Sequence, residues 1–214
     1  RRSFAVASSI QNYGFMVVPL LISLYGDKEL LATLFLHNLG VEIAMYTVGL
    51  MIFSGKLSLH PKIFLKAPVL AVIAGVALNV CNLTPLIPAP FLDAISMIGA
   101  SAVPLALIAI GMTVAEVLPE TKFSLRIGFS AIVIRLLLLP ALILTIAYAL
   151  PLETDTKRVL LMQAAMPAAL FSIVLAKHYG GKPSLVAEVI ITTSIVSFLT
   201  MPFVIAFGSR LLGL

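Results

Sequence analysis

The sequence predicts an all-α membrane protein, and three observations carry that reading. Of its 214 residues, 61% are apolar and 11% charged, against about 45–50% and about 25% in a typical soluble domain. Mean hydropathy is +1.14. The apolar residues gather in runs that do not alternate polar with apolar and are too long for barrel strands of about 9–11 residues, whereas a bilayer core of roughly 30 Å asks for about 20 apolar residues per helix. Seven runs meet that length, at about residues 4–25, 30–54, 64–81, 91–116, 125–150, 157–178 and 184–208, here lettered A to G.

Span A follows Arg1 and Arg2 and reads FAVASSIQNYGFMVVPLLISLY, with Ser8, Ser9, Gln11 and Asn12 ahead of an interior Pro19. The start RRSFAVASS superficially resembles a signal sequence, but no separate apolar region precedes its A-x-A and the run continues to Tyr25. B carries His37 and Glu42. C and D contain Gly75, Gly99 and Gly111, which permit close helix approach. E encloses Arg135, five residues before Pro140. F reads VLLMQAAMPAALFSIVLAKHYG, with Gln163 one turn before Pro167 and Ser172 just after it; G carries Glu188 and the run Thr192, Thr193, Ser194.

A and F are the informative spans. An unpaired backbone group in lipid costs several kcal/mol, so a helix is interrupted at membrane depth only where protein or a water-lined cavity receives the freed groups. Each proline alone is equally explained as a kink in a packed helix. Two interrupted spans in corresponding positions of two halves, however, point to the substrate site of a secondary transporter.

Positive charge sets the expected orientation. Arg1, Arg2, Lys56, Lys62, Lys66, Lys122, Arg126, Lys177 and Lys182 fall on one side, and Lys28, Lys157, Arg158 and Arg210 on the other, with Arg135 inside E. The richer side is cytoplasmic, so the chain is expected to start inside and end outside, in a bacterial inner membrane or plasma membrane. A then runs outward and F inward. The segments leaving them echo one another: Tyr25-Gly26-Asp27-Lys28 with Leu31, and Tyr179-Gly180-Gly181-Lys182 with Leu185, share an offset of 154. If A–B repeats F–G, then C–D–E has three partners ahead of A. The expected parent is a ten-helix inverted repeat of five plus five, with residues 1–54 ending the first repeat and 63–214 forming the second. Within the latter, 64–116 is scaffold-like and 125–208 belongs to a transport domain.

Several function classes are set aside. The basic residues are scattered singly and make no patch for nucleic acid. Cys81 is the sole cysteine, which excludes an intrachain disulfide or a cysteine-based zinc cluster; no cofactor or metal is expected. Gly180-Gly181-Lys182-Pro183-Ser184 lacks Walker spacing, and neither H-E-x-x-H nor G-x-S-x-G occurs. An anion channel, which a pair of interrupted helices could also line, and an intramembrane enzyme are the alternatives to a carrier.

With these residues in view, the chain resembles the auxin efflux carrier family, which includes plant PIN exporters and bacterial malate or malonate permeases. The run from Asn12 to Leu21, with Asn12 seven residues before Pro19, is similar to that family's fourth helix. Gln163-Ala164-Ala165-Met166-Pro167 leading to Ala176-Lys177-His178-Tyr179 is similar to its ninth. Pro104-Leu105 with Gly111, and Arg135 before Pro140, add to the match. The resemblance implies that the fourth and ninth helices cross at their breaks, inside a transport domain that moves against a scaffold. Ser172 replaces a second proline of the PIN pattern, and Ala67-Pro68-Val69 replaces an Asn-rich start to the sixth helix. These departures favour a small malate- or malonate-like carboxylate over an auxin-like substrate.

The expected substrate-binding residues are Asn12, Tyr13, Gln163 and Ser172, with Pro19 and Pro167 at the crossover. Asn12 offers a neutral donor to a carboxylate without the cost of a buried charge. Ionisable groups inside spans default to functional candidates: Glu42, His37, Arg135 and Glu188 are read as proton-coupling or counter-charge positions. Glu42 and His37 are five residues apart and do not share a helical stripe. Glu188 lies near the inner end of G, where snorkelling would also account for it, and Arg135 could equally pair with a carboxylate in another helix. Lys177 and His178 suit the C-terminal end of F. The expected partners are the organic anion, the bilayer and, through the scaffold helices, a second copy of the chain.

Overall fold

A computed structural model describes residues 1–26, 29–49, 51–52 and 67–214. Asp27 and Lys28 of the echoed segment, the connection bearing Lys56, Lys62 and Lys66, and the adjoining ends of B and C, including the 54/63 boundary, lie outside these residues. The helices are α1 (Arg2–Ser9), α2 (Val17–Tyr25), α3 (Glu29–Ala44), α4 (Ala67–Val80), α5 (Ala89–Val117), α6 (Leu125–Ile132), α7 (Leu139–Ala149), α8 (Thr154–Ala165), α9 (Ser172–His178) and α10 (Pro183–Leu212). No strand longer than an isolated bridge occurs among the described residues.

Among the described residues, three stretches are long and apolar enough to cross a membrane: Glu29–Gly49, Leu125–Ala149 and Pro183–Leu212. The last, at 30 residues, spans about 45 Å at 1.5 Å per residue, more than the roughly 30 Å of hydrocarbon.

Span E is not one uninterrupted α-helix. Between α6 and α7, residues Val133–Leu138 form a π-helical turn, just ahead of Pro140. A proline has no N–H to donate, and its ring crowds the carbonyl four residues back, here that of Leu136; a wider turn relieves both. The same turn carries Arg135. A further π turn, Met45–Gly49, extends α3. Elsewhere the ends follow local chemistry. Gly26, at φ 63°, terminates α2 in the left-handed conformation that only glycine adopts without strain, and Pro183 opens α10 where no N–H is needed.

The long α10 is the spine. It packs against α1, α6, α7, α8 and α9. Lipid tails are as apolar as leucine, so helices in a bilayer associate through close packing of small residues more than through apolar burial. Gly208 shows this locally: a Cβ there would overlap Leu161 Cδ1 on α8 and come within 3.0 Å of Leu144 Cδ2 on α7. One buried cluster gathers Val6, Ala7 and Ile10 with Ala168, Ile173, Val186 and Ile190; a second gathers Val17, Leu21, Leu30 and Leu34 with Met162 and Met166. By contrast α4 and α5 expose Leu70, Ile73, Ile95, Ile98 and Leu105, a surface suited to lipid or to further helices.

Candidate functional site at a backbone crossing

Two helix pairs, α1–α2 and α8–α9, each lose α-helical geometry for a few residues, at 10–16 and at 166–171. These segments meet. Gln11 and Ala168 form an antiparallel bridge, in which the Asn12 N–H donates to the Pro167 carbonyl at 2.9 Å and the Ala169 N–H donates to the Ile10 carbonyl at 2.9 Å. At the contact the chains therefore run in opposite directions.

The causes differ on the two sides. The residue before a proline is pushed out of the α region into extended geometry, and Met166 adopts φ −75°, ψ 141°, ending α8 one residue before Pro167. Pro19, expected at the crossover, is not there. It occupies the first turn of α2, where helical N–H groups lack intrahelical partners and a missing one costs little. The crossing on this side falls at Ile10–Asn12 instead, with Ile10 extended at φ −84°, ψ 119°.

Interrupting two helices frees carbonyls, and one side chain collects them. Arg135, 1% exposed, donates through Nε to the Met166 carbonyl at 2.9 Å, through Nη2 to the Gln163 carbonyl at 3.2 Å, and through Nη1 to the Ser9 carbonyl at 3.4 Å. The three acceptors are the C-terminal ends of α1 and α8. Among the described residues Arg135 thus pairs with no carboxylate and does not line the cavity; its partners are backbone groups. Thr193 of α10 supplies the matching acceptor: its Oγ1 takes the Ala168 N–H at 3.3 Å while donating within its own helix to the Val189 carbonyl at 2.8 Å. It belongs to the crossing as well as to helix packing.

A buried amide chain ties α3 to both interruptions. Gln163 Nε2 donates to Asn38 Oδ1 at 3.0 Å, and Asn38 Nδ2 donates to the Tyr13 carbonyl at 2.8 Å. Gln163 Oε1 and Ser172 Oγ are buried with no hydrogen-bond partner among the described residues.

Beside the crossing lies a cavity of about 230 Å³ lined by Asn12, Tyr13, Gly14, Phe15, Glu42, Ala169, Leu170 and Phe171. At roughly 30 Å³ per water it has room for about eight waters or one small organic molecule. Asn12 is 3% exposed. The Tyr13 hydroxyl donates to Glu42 Oε1 at 2.6 Å, and Glu42 is the sole ionisable carboxyl among the lining residues.

Of the sequence-derived candidates, the fold brings Asn12, Tyr13 and Glu42 to the cavity wall. It brings Pro167, Gln163 and Arg135 to the crossing behind that wall, and sets Ser172 at the start of α9 next to the lining Phe171. His37 and Glu188 do not line the cavity. Glu188 does not snorkel either: it is 2% exposed and accepts the Ser124 N–H at 2.6 Å, anchoring the start of α6. Two residues of the crossing were missed as such in the sequence, Asn38 and Thr193. A lone amide inside an apolar span, next to His37, was the available signal for the first. Lys177 pairs with Glu116 at 2.8 Å at the far end of α9. Among the described residues, no group of His, Cys, Asp and Glu is placed to hold a metal ion.

The family described as membrane transport protein matches residues 56–205, well over half of the chain. The chain belongs to that family. It is the auxin efflux carrier type of membrane transport protein that the sequence resembles, and with its long apolar helices the chain is an integral membrane protein. The match takes in α8 and α9 but not α1 and α2. Two relatives are similar over more of the chain: an uncharacterized transporter of Methanocaldococcus jannaschii is 25% identical over 207 residues, and one of Methanothermobacter thermautotrophicus is 26% identical over 205. Each alignment covers 92% of this chain and 65% of the relative. The chain thus spans somewhat under two thirds of the length of these curated relatives. No solved structure matches it.

Proposed function

We propose that this membrane transport family member works as a secondary carrier of a small organic anion, a carboxylate of malate or malonate size, by alternating access. The carrying observation is the antiparallel crossing of two interrupted helices beside a cavity walled by Asn12 and Glu42. In this reading the seven spans belong to an inverted repeat, α1–α2 and α8–α9 are its paired broken helices, and the chain starts on the cytoplasmic side. The bundle around α10 carries the site, and α4 and α5 belong to the scaffold it moves against.

The wall suits one carboxylate. Asn12 donates a neutral hydrogen bond. The chain passes from Phe15 into α2 within two residues, so the partial positive charge of that helix start, about half a unit, lies next to the cavity. Glu42 opposes a second negative charge, and its Tyr13 hydrogen bond fixes where that charge sits. In this reading Glu42, the carboxyl among the lining residues, is the position where anion and proton movement are coupled. The rest of the wall is apolar, in keeping with a short carbon skeleton.

The test is flux in liposomes carrying the full-length protein, with malate, malonate and indole acetate under imposed pH or voltage gradients. Saturable malonate flux with counterflow, accelerated by a pH gradient, is the expected result. Ohmic current without saturation would replace the carrier by a channel.

A further inference from the structure

We propose that the Ser9, Gln163 and Met166 carbonyls form a monovalent-cation site that Arg135 permanently fills, so that withdrawing the guanidinium converts a resident cation into a dependence on an added one. The inference rests on the carrier reading only for its consequence in transport; the site itself stands on the crossing geometry.

Three features support it. First, the three carbonyls come from the C-terminal ends of two different helices, each end carrying a partial negative charge, and they converge within 2.9–3.4 Å of one planar group. Carbonyls at half-helix ends are the donor set that coordinates coupling cations in transporters built from discontinuous helices. Second, Arg135 makes no ion pair among the described residues: its nearest acceptors are all backbone oxygens, so its charge is balanced by dipoles alone. A buried charge without a carboxylate partner persists where dipoles satisfy it. Third, Arg135 lies within the π turn Val133–Leu138, and the residue is 1% exposed.

The consequence is a joint held together by a cation that cannot leave. Ser9 and Met166 lie on opposite strands of the crossing, one before Ile10 and the other before Pro167, so a single guanidinium ties both halves. Removing it takes the guanidinium donor from all three carbonyls, of which that of Gln163 keeps the Met166 N–H, and a returning cation would take its place.

The experiment measures thermal unfolding of the purified full-length protein and its Arg135→Ala variant in NaCl, KCl, choline chloride and guanidinium at millimolar concentration. Wild type is expected to unfold at the same temperature in Na⁺, K⁺ and choline. The variant is expected to unfold lower in choline and to regain at least about 2–4 °C in Na⁺, K⁺ or guanidinium, the shift that a modest binding free energy gives a chain of this size. A wild-type midpoint that rises with Na⁺, or a folded variant indifferent to every cation, overturns the proposal. If Arg135→Ala does not fold in any salt, Arg135→Lys against Arg135→Met decides: lysine must restore the midpoint that methionine loses, and equal midpoints overturn the proposal. Because these readouts need no substrate, they stand or fall separately from carboxylate flux, whose absence would sink the carrier reading and leave the cation site untouched.

Discussion

Glu42→Gln tests the wall of the cavity most directly, because it removes a charge and little else. The Tyr13 hydroxyl donates to Glu42 Oε1 at 2.6 Å, and a glutamine oxygen accepts the same bond, so the wall keeps its shape. A sphere of 230 Å³ is about 8 Å across, which brings a bound carboxylate to within about 5 Å of the ionised Glu42; at an effective dielectric of about 20, two unit charges at that distance repel by about 3 kcal/mol. With 1.4 kcal/mol per decade, that is on the order of 10²-fold in affinity. The assay is malonate counterflow in proteoliposomes. Half-saturation in the variant is expected at a concentration lower by up to that factor, while a pH gradient no longer accelerates net flux because the proton carrier is gone. A variant whose half-saturation is unchanged, or raised, would show that Glu42 does not face the bound anion, and the proposed proton coupling would be discarded.

Further outcomes follow from the same geometry. Asn12→Ala removes a donor worth about 1.5–3 kcal/mol when its partner is charged and should weaken malonate half-saturation by roughly ten- to a hundredfold, whereas unchanged flux would remove Asn12 from the site. Thr193→Val leaves the buried Ala168 N–H without its acceptor and should cost about 1–3 kcal/mol, read as a lower unfolding midpoint in detergent. Gly208→Ala forces a methyl against Leu161 and Leu144 and should destabilise by about 1–3 kcal/mol; an unchanged midpoint would mean that α10 and α8 are not in close contact there.

The helical class was readable in the sequence because apolar run length states it almost without context. The end of α8 at Ala165 was readable too, since a proline dictates the conformation of the residue before it. The interruption at Ile10–Asn12 was visible only as a polar patch in span A, and Pro19 drew attention away from it: a proline marks where an N–H is absent, and the first turn of a helix tolerates that absence. Arg135 illustrates the larger obstacle. Its partners are carbonyls, which every residue carries, so no residue type in the sequence announces them. The burial of Glu188 was hidden for the same reason, as its partner is the backbone N–H of Ser124. Asn38 was overlooked because one amide in a long apolar span resembles ordinary interhelical packing until its neighbours Gln163 and Tyr13 are placed around it.

The bridge between the two interrupted segments is made by main-chain atoms alone, from Asn12 to Pro167 and from Ala169 to Ile10. A fastening of that kind does not depend on which side chains face the cavity. Residues facing the cavity from the same few positions can therefore be exchanged over evolutionary time while the fastening itself stays as it was.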